Sequence, residues 1–149
     1  MDVGCYAVSG SRLFGGEPEK VYGEAWLGPS GTDWVFAGML RFPGNVVALF
    51  DAGTAMPERD ELEAIGSEGS LFLDDPWHCK VPGIELRREG RVERIELDVV
   101  DSYRLELENL SDAIRGEGEA LLGRDDATGQ ARALEALHES ATSRQSVAL

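Results

Sequence analysis

The pattern of apolar and polar positions predicts a chain whose middle part consists of short β-strands. Over residues 33–42, the large apolar side chains of Trp34, Phe36 and Leu40 fall on alternate positions, which is the two-residue period of a strand. The positions between them are partly apolar as well, so we expect this strand to be covered on both faces. The turn residues Pro43-Gly44-Asn45 then predict a hairpin with a returning strand at 46–50. Further strands are predicted at 20–26, 61–65, 70–73, 84–88 and 91–97.

Helical periodicity occurs at the two ends of the chain. Residues 2–14 are compatible with a short helix that ends at Gly15-Gly16. In the last third, apolar side chains recur every three or four residues from Tyr103 to Ile114, and Gly116 follows as a stop signal. A further helix is predicted over 127–141, and the tail 145–149 is compatible with a final strand.

This order of elements predicts an α+β fold. One helix, six or seven mostly antiparallel strands and two helices indicate an open sheet with helices packed on one of its faces. The other face still carries bulky side chains such as Trp34 or Met39. An apolar face without its own helix suggests a partner that covers it, either another domain or a second copy of the chain.

Length and charge limit the classes of function. The 149 residues suffice for a single domain, and we find neither a membrane-length apolar run nor a secretory signal, so we expect a cytoplasmic protein. The net charge of −14 argues against nucleic-acid binding, which needs a basic surface. Only Lys20 and Lys80 are lysines. An acidic chain with almost no lysine fits a salt-rich cytoplasm, and it fits equally well a high-GC genome that favours arginine.

Motifs for cofactors and metals are missing from the sequence. We find no strand–G-x-G-x-x-G–helix unit, so we expect no dinucleotide to bind to this chain alone. Cys5 and Cys79 form no C-x-x-C pair and are more typical of buried thiols than of a disulfide. His78 and His138 are sixty residues apart and do not predict a metal site.

Asp2 and Tyr6 form the first constellation that could carry chemistry. If residues 2–14 are helical, these two side chains stack at positions i and i+4 of one helix face. A tyrosine hydroxyl can act as a general acid or base when a cationic neighbour lowers its pKa. The alternative is structural, with Asp2 as the helix cap and Tyr6 packed at the rim of the core.

The second constellation is the run Asp74-Asp75-Pro76-Trp77-His78-Cys79. Two carboxylates, an indole and an imidazole within six residues could line a pocket for a polyol. The favoured alternative is a solvated turn whose Trp77 side chain packs on the sheet.

Several motifs resemble the glucose–fructose oxidoreductase / inositol dehydrogenase (Gfo/Idh/MocA) family. The run Asp2-Val-Gly-Cys-Tyr6, followed by Arg12-Leu-Phe-Gly-Gly-Glu-Pro18, is similar to the segment that opens the first helix after that family's Rossmann domain. Counterparts of later family motifs follow in the same order over nearly the whole chain: Leu40-x-Phe-Pro-Gly44, Ile65-Gly-Ser-Glu-Gly-Ser-Leu71, Tyr103…Asn109-Leu-x-Asp-Ala-Ile114 and Ala136-Leu-x-x-Ser140. Each motif is moderately specific, and their shared order makes the combination fairly specific.

The resemblance implies the substrate-side, carboxyl-terminal domain of a two-domain enzyme whose Rossmann domain is absent from this chain. In that family the Rossmann domain binds NAD or NADP and supplies the lysine of an E-K-P motif. Here Glu19-Lys20 follows Pro18 instead of preceding a proline. Tyr6 matches the family's acid/base residue, as in the aldose- and dihydrodiol-type branch, and Asp2 matches an acidic residue that helps to position substrate. The exposed sheet face implies a homo-oligomer.

Three hypotheses of different classes follow. The first is a domain of an NAD(P)-dependent oxidoreductase that acts on a sugar, polyol or related CH–OH group, with the isolated chain inactive. The second is a stand-alone binding or oligomerisation module that has kept the fold without catalysis. The third is a small protein whose acidic surface binds cations, although the sequence shows no cluster of ligands for one.

Overall fold

The computed structural model describes residues 1–81 and 83–149. This described part contains three α-helices and eight β-strands, and a single 3-10 turn at Pro43–Asn45 joins β2 to β3. In chain order, the elements are α1 (Gly4–Gly15), β1 (Lys20–Leu27), β2 (Asp33–Arg41), β3 (Val47–Gly53), β4 (Glu61–Gly66), β5 (Gly69–Asp74), β6 (Ile84–Arg88), β7 (Arg91–Ile95), α2 (Ser102–Arg115), α3 (Arg124–Ser143) and β8 (Val147–Ala148).

The chain divides into two compact units. The first consists of Met1–Pro57 and Arg124–Leu149, and the second of Glu58–Gly123. The predicted α+β class with antiparallel strands is confirmed. The strands form two four-stranded sheets instead of the one open sheet predicted, because periodicity indicates which residues are extended but not which strands pair. That the two units form a single folding domain stays a prediction.

The first unit is a sheet with the strand order β3-β2-β1-β8, and its core lies on the face that also meets α1 and α3. The register pairs Val21 with Leu40, and both side chains are fully buried together with Phe36. Val8 of α1 and Leu137 of α3 complete the same cluster, each with no exposed surface. The alternation predicted for residues 33–42 therefore selects the inner face of β2 correctly.

Helix α3 approaches β1 closely because Gly23 has no side chain. A Cβ atom placed on Gly23 would lie only 2.7 Å from the carbonyl oxygen of Leu137 and 2.8 Å from the ring of Phe36. The fully buried hydroxyl of Ser140 accepts a hydrogen bond from the Gly23 N–H at 3.0 Å and donates one to the Gln145 carbonyl at 2.5 Å. These contacts fasten the carboxyl-terminal part of α3 to the middle of β1.

The opposite face of this sheet, here called the outer face, consists of the alternate positions of β1, β2 and β3. It carries Tyr22 and Trp26 from β1, Met39 from β2 and Leu49 from β3. Trp26 is 60% exposed and Leu49 is 78% exposed. The predicted apolar face is therefore present, and its apolar side chains are accessible. Trp34, at the start of β2, packs edge-on against Trp26 with ring centroids 6.0 Å apart.

The second unit contains the antiparallel sheet β4-β5-β6-β7 and the helix α2. On one face of the sheet, the Arg87 guanidinium lies 4.4 Å from the centre of the Phe72 ring and pairs with Glu85 at 2.7 Å and Glu63 at 3.3 Å. Asp101 caps α2 by accepting the Arg104 N–H. No helix in the described residues combines the length and apolar character needed to cross a membrane.

Candidate functional site

Helix α1 presents Tyr6 at the surface of the first unit. Tyr6 is 47% exposed, so part of this residue is accessible to a small molecule. The helix begins at Gly4, two residues later than predicted, so Asp2 precedes it and the predicted helical stacking of Asp2 under Tyr6 is wrong. The alternative role for Asp2 fails as well, because Val3 occupies the N-cap position and no side chain caps the helix. Asp2 is exposed beside this first turn.

A glutamine of α3 hydrogen-bonds to the first turn of α1. The Nε2 atom of Gln130 donates a hydrogen bond to the carbonyl oxygen of Cys5 at 2.8 Å, directly before Tyr6 in the chain. The Oε1 atom of the same side chain accepts a hydrogen bond from Nη1 of Arg12 at 3.0 Å. Gln130 thus connects both ends of α1 to α3, and it constrains the backbone that carries Tyr6.

Arg12 is the charged centre of this connection, and its side chain is only 5% exposed. Nε and Nη2 donate to the two carboxylate oxygens of Glu17 at 3.2 and 2.5 Å, while Nη1 lies 3.0 Å from a carboxylate oxygen of Asp126. The hydrogen bond to Glu17 is the largest cause that raises the Arg12 pKa; burial opposes it and the negative charge of Asp126 adds to it. Arg12 therefore stays cationic at every ordinary pH.

Arg12 belongs to one of the family-like motifs, but its partners on α3 were not predicted. Gln130 lies 118 residues from Arg12 along the chain, and no local pattern connects the two. Asp126 could have been noticed as an acidic residue in the first turn of a helix, where it also interacts favourably with the helix dipole. Its pairing with Arg12 depends on how α1 and α3 pack.

The second constellation lies in the second unit, at the end of β5. The ladder pairs Glu61 with Asp74, and the Asp75 N–H then donates to the carbonyl of Asp60 at 2.7 Å. The Asp75 carboxylate accepts the backbone N–H groups of His78 at 3.1 Å and of Lys80 at 2.7 Å. Burial tends to raise the Asp75 pKa, but these hydrogen bonds and His78 outweigh it, so the pKa is lowered. The run forms a tight turn whose carboxylate is ionised.

The imidazole of His78 turns back towards two carboxylates. Its Nδ1 atom lies 3.0 Å from Oδ1 of Asp75 and 3.1 Å from Oδ2 of Asp60. The three potential ligand atoms lie within 4.8 Å of one another. Asp60 was not among the predicted site residues, because it lies fifteen positions before Asp75 and joins the run only through the pairing of β4 with β5.

A comparison with protein families matches residues 1–72 to the GFO/IDH/MocA C-terminal domain. The segment includes α1 and the strands β1, β2, β3 and β4. Among curated proteins, D-xylose 1-dehydrogenase (NADP(+)) 2 of Haloferax volcanii is 30% identical over 153 residues, an alignment that covers all of this chain and 47% of the relative.

Solved structures share the fold over nearly the whole chain. The aldose-aldose oxidoreductase of Caulobacter crescentus, complexed with glycerol, superposes with a TM-score of 0.87 at 20% identity, over 98% of this chain and 46% of that one. An oxidoreductase of Agrobacterium radiobacter, in complex with NAD+, L-tartaric acid and magnesium, gives a TM-score of 0.78 at 14% identity over 99% of this chain and 48% of that one. The chain spans about half the length of these relatives. Residues 1–72 match the family's carboxyl-terminal domain, and the fold of the chain is the one that this domain has in Gfo/Idh/MocA enzymes.

Proposed function

We propose that this chain is the substrate-side domain of a cytoplasmic NAD(P)-dependent oxidoreductase that acts on a sugar, polyol or related CH–OH group. The observation that carries the proposal is the relationship to a D-xylose 1-dehydrogenase over the full length of the chain. The family match covers α1, the helix that presents Tyr6. The solved oxidoreductase structures share the fold of this chain.

In this proposal, Tyr6 exchanges a proton with the substrate hydroxyl whose carbon is oxidised. A phenol is a suitable acid or base once its environment stabilises the phenolate. Its exposure gives a substrate access, and the Gln130 hydrogen bond at the neighbouring Cys5 carbonyl keeps the first turn of α1 in place. Asp2, exposed just before the helix, is proposed to bind a further substrate hydroxyl. A tyrosine at this position supports a grouping of the chain with the aldose- and dihydrodiol-type relatives.

The nicotinamide cofactor does not fit the residues of this chain. All strand pairs of the described part are antiparallel, whereas a dinucleotide site needs a parallel βαβ unit with a glycine-rich turn at the helix amino terminus. The hydride acceptor therefore belongs to the family's dinucleotide-binding domain. We expect the isolated chain to bind neither NAD nor NADP tightly and to show no turnover.

The proposal is tested in a polypeptide that joins this chain to the dinucleotide-binding domain that we expect the upstream sequence to encode. NADP+ and NAD+ reduction is followed at 340 nm with D-xylose, D-glucose and myo-inositol as substrates. Tyr6→Phe should lower kcat about 100-fold or more, which is the usual effect of losing an acid/base group, and leave cofactor affinity unchanged. Tyr103→Phe, at another exposed tyrosine, is the matched control with unchanged kcat.

Two results would contradict the proposal. Full activity of Tyr6→Phe would remove the acid/base role, and turnover by the isolated chain would show that no second domain is required. If the upstream sequence encodes no G-x-G-x-x-G unit and no E-K-P motif, the alternative of a binding or oligomerisation module that lost catalysis is favoured.

We also propose that the outer face of the first unit's sheet associates with a second copy of the chain. Its support is the accessible apolar surface of Trp26, Met39 and Leu49, which is costly to leave in water. Light scattering should then give a multiple of the 16.2 kDa chain mass. Leu49→Glu should return the mass to that of one chain, while Val92→Glu, at an exposed valine of the second unit, should not. A monomeric parent chain would refute this assembly.

A further inference from the structure

A cluster of three metal-ligating side chains lies at the open end of the β4–β5 hairpin. The strand register brings Asp60 and Asp75 side by side, since they follow the paired residues Glu61 and Asp74 outward. The turn after β5 brings His78 back over them, so that one imidazole nitrogen faces one oxygen of each carboxylate. No role in the proposed oxidoreductase chemistry uses these residues, which lie in the other unit from Tyr6.

The distances suit a small divalent cation. Zn²⁺ binds imidazole nitrogen and carboxylate oxygen at about 2.0–2.2 Å, so neighbouring tetrahedral ligands are roughly 3.3–3.5 Å apart. Nδ1 of His78 is 3.0 and 3.1 Å from the two oxygens, and all three atoms lie within 4.8 Å of one another. To bind a cation, the two distances from Nδ1 would widen by a few tenths of an ångström, and the two carboxylate oxygens are already no more than 4.8 Å apart.

The three side chains supply one imidazole nitrogen and two carboxylate oxygens that can converge on one cation. With the Nε2–H tautomer, the lone pair of His78 Nδ1 is available to a cation beside one oxygen of each carboxylate, whereas with the Nδ1–H tautomer the imidazole hydrogen-bonds to Asp75 instead. A divalent cation offsets the charge of both carboxylates and is bound by all three atoms. The chain's net charge of −14 favours cation uptake further.

The cluster is exposed enough to leave room for the remaining ligands of a metal ion. The side chains of Asp75, Asp60 and His78 are 13%, 27% and 40% exposed, so the cluster is partly desolvated but open on one side. The backbone N–H groups of His78 and Lys80 bind the Asp75 carboxylate and orient it before a cation arrives. Three protein ligands leave at least one position for water or for a hydroxyl-bearing molecule.

We propose that Asp60, Asp75 and His78 form a binding site for a divalent transition-metal cation, with Zn²⁺ as the best match. Imidazole together with carboxylates suits Zn²⁺, while Mg²⁺ and Ca²⁺ take oxygen ligands in larger shells. The site is independent of the proposed oxidoreductase function, and its test needs no catalytic activity.

Isothermal titration of the purified chain with ZnCl₂ near pH 7 tests the site. We expect saturable binding of one Zn²⁺ per chain, weaker binding of Mg²⁺, and a melting temperature that rises with Zn²⁺ concentration. Asp60→Asn and His78→Gln should each weaken Zn²⁺ binding about 10-fold or more. Neither change removes the backbone hydrogen bonds to Asp75, so circular dichroism should show an unchanged fold.

Matched controls separate this site from diffuse binding. His138→Gln changes the other histidine, and Asp98→Asn removes one exposed carboxylate from the same unit, so both should leave Zn²⁺ affinity unchanged. The double change Cys5→Ser with Cys79→Ser should also retain binding. Absence of saturable binding, equal effects of control and site variants, unchanged affinity in His78→Gln, or loss in the cysteine variant would each overturn the proposal.

Discussion

Replacing Arg12 with methionine tests how strongly α1 is tied to α3. The substitution keeps much of the aliphatic packing of the side chain and removes the guanidinium group. Four hydrogen bonds are lost with it, two to Glu17, one to Gln130 and one to Asp126. The free energy of unfolding of the first unit should fall, because these bonds form only when α1, α3 and the turn after α1 are assembled.

The magnitude follows from the exposure of the partners. Removing one member of a fully buried ion pair costs about 3–5 kcal/mol, since the remaining charge is left without water. Here Glu17 is 64% exposed and Asp126 is 36% exposed, so both carboxylates regain solvent and each pair contributes about 0.2–1 kcal/mol. The half-buried amide of Gln130 loses one hydrogen bond, at about 1 kcal/mol. We therefore expect a loss of about 2 kcal/mol.

Urea denaturation followed by tryptophan fluorescence measures this loss. The midpoint should fall while the slope m stays unchanged, because the surface exposed on unfolding is nearly the same. Arg132→Met, at an exposed arginine of α3, is the matched control and should change stability by less than about 0.5 kcal/mol. A loss below about 0.5 kcal/mol for Arg12→Met would refute the structural role, and a loss above about 4 kcal/mol would show that the carboxylates are not resolvated.

Two further predictions concern β1. Gly23→Ala should lower the free energy of unfolding by about 1–3 kcal/mol in the same assay, because the added methyl group would lie 2.7 Å from the Leu137 carbonyl oxygen. Gly118→Ala is the control and should be nearly neutral, since its nearest contact is at 3.8 Å. Equal effects of the two substitutions would contradict the close packing of α3 on β1. The Tyr22 pKa is raised mainly because its hydroxyl hydrogen-bonds to the Glu24 carboxylate. The pair therefore stabilises the fold at pH values below the ordinary tyrosine pKa of about 10. This contribution is lost as the pH rises through the higher pKa of the folded state. Phenolate absorbance at 295 nm should show Glu24→Gln lowering that pKa, and an unchanged titration would refute the coupling.

Secondary structure could be predicted from the sequence because its signals are local. The alternation around Phe36 and Leu40 depends only on neighbouring residues, and it identifies both β2 and its buried face. Gly116 was likewise identified as the stop signal after α2, and it adopts a left-handed φ of 73° there. The helix α1 and its Tyr6 were found in the same way, although the start of α1 was placed two residues too early.

What the sequence determined by itself is the order of helices and strands, the buried face of β2 and the family motifs. Only the tertiary structure decided how the strands divide between two sheets, that Gln130 of α3 hydrogen-bonds to Cys5 and Arg12 of α1, and that Asp60 joins Asp75 and His78. The side-chain contacts join residues from 15 to 125 positions apart and depend on strand pairing and helix packing. Periodicity and capping act over a few residues, so they carry no information about which distant side chains meet.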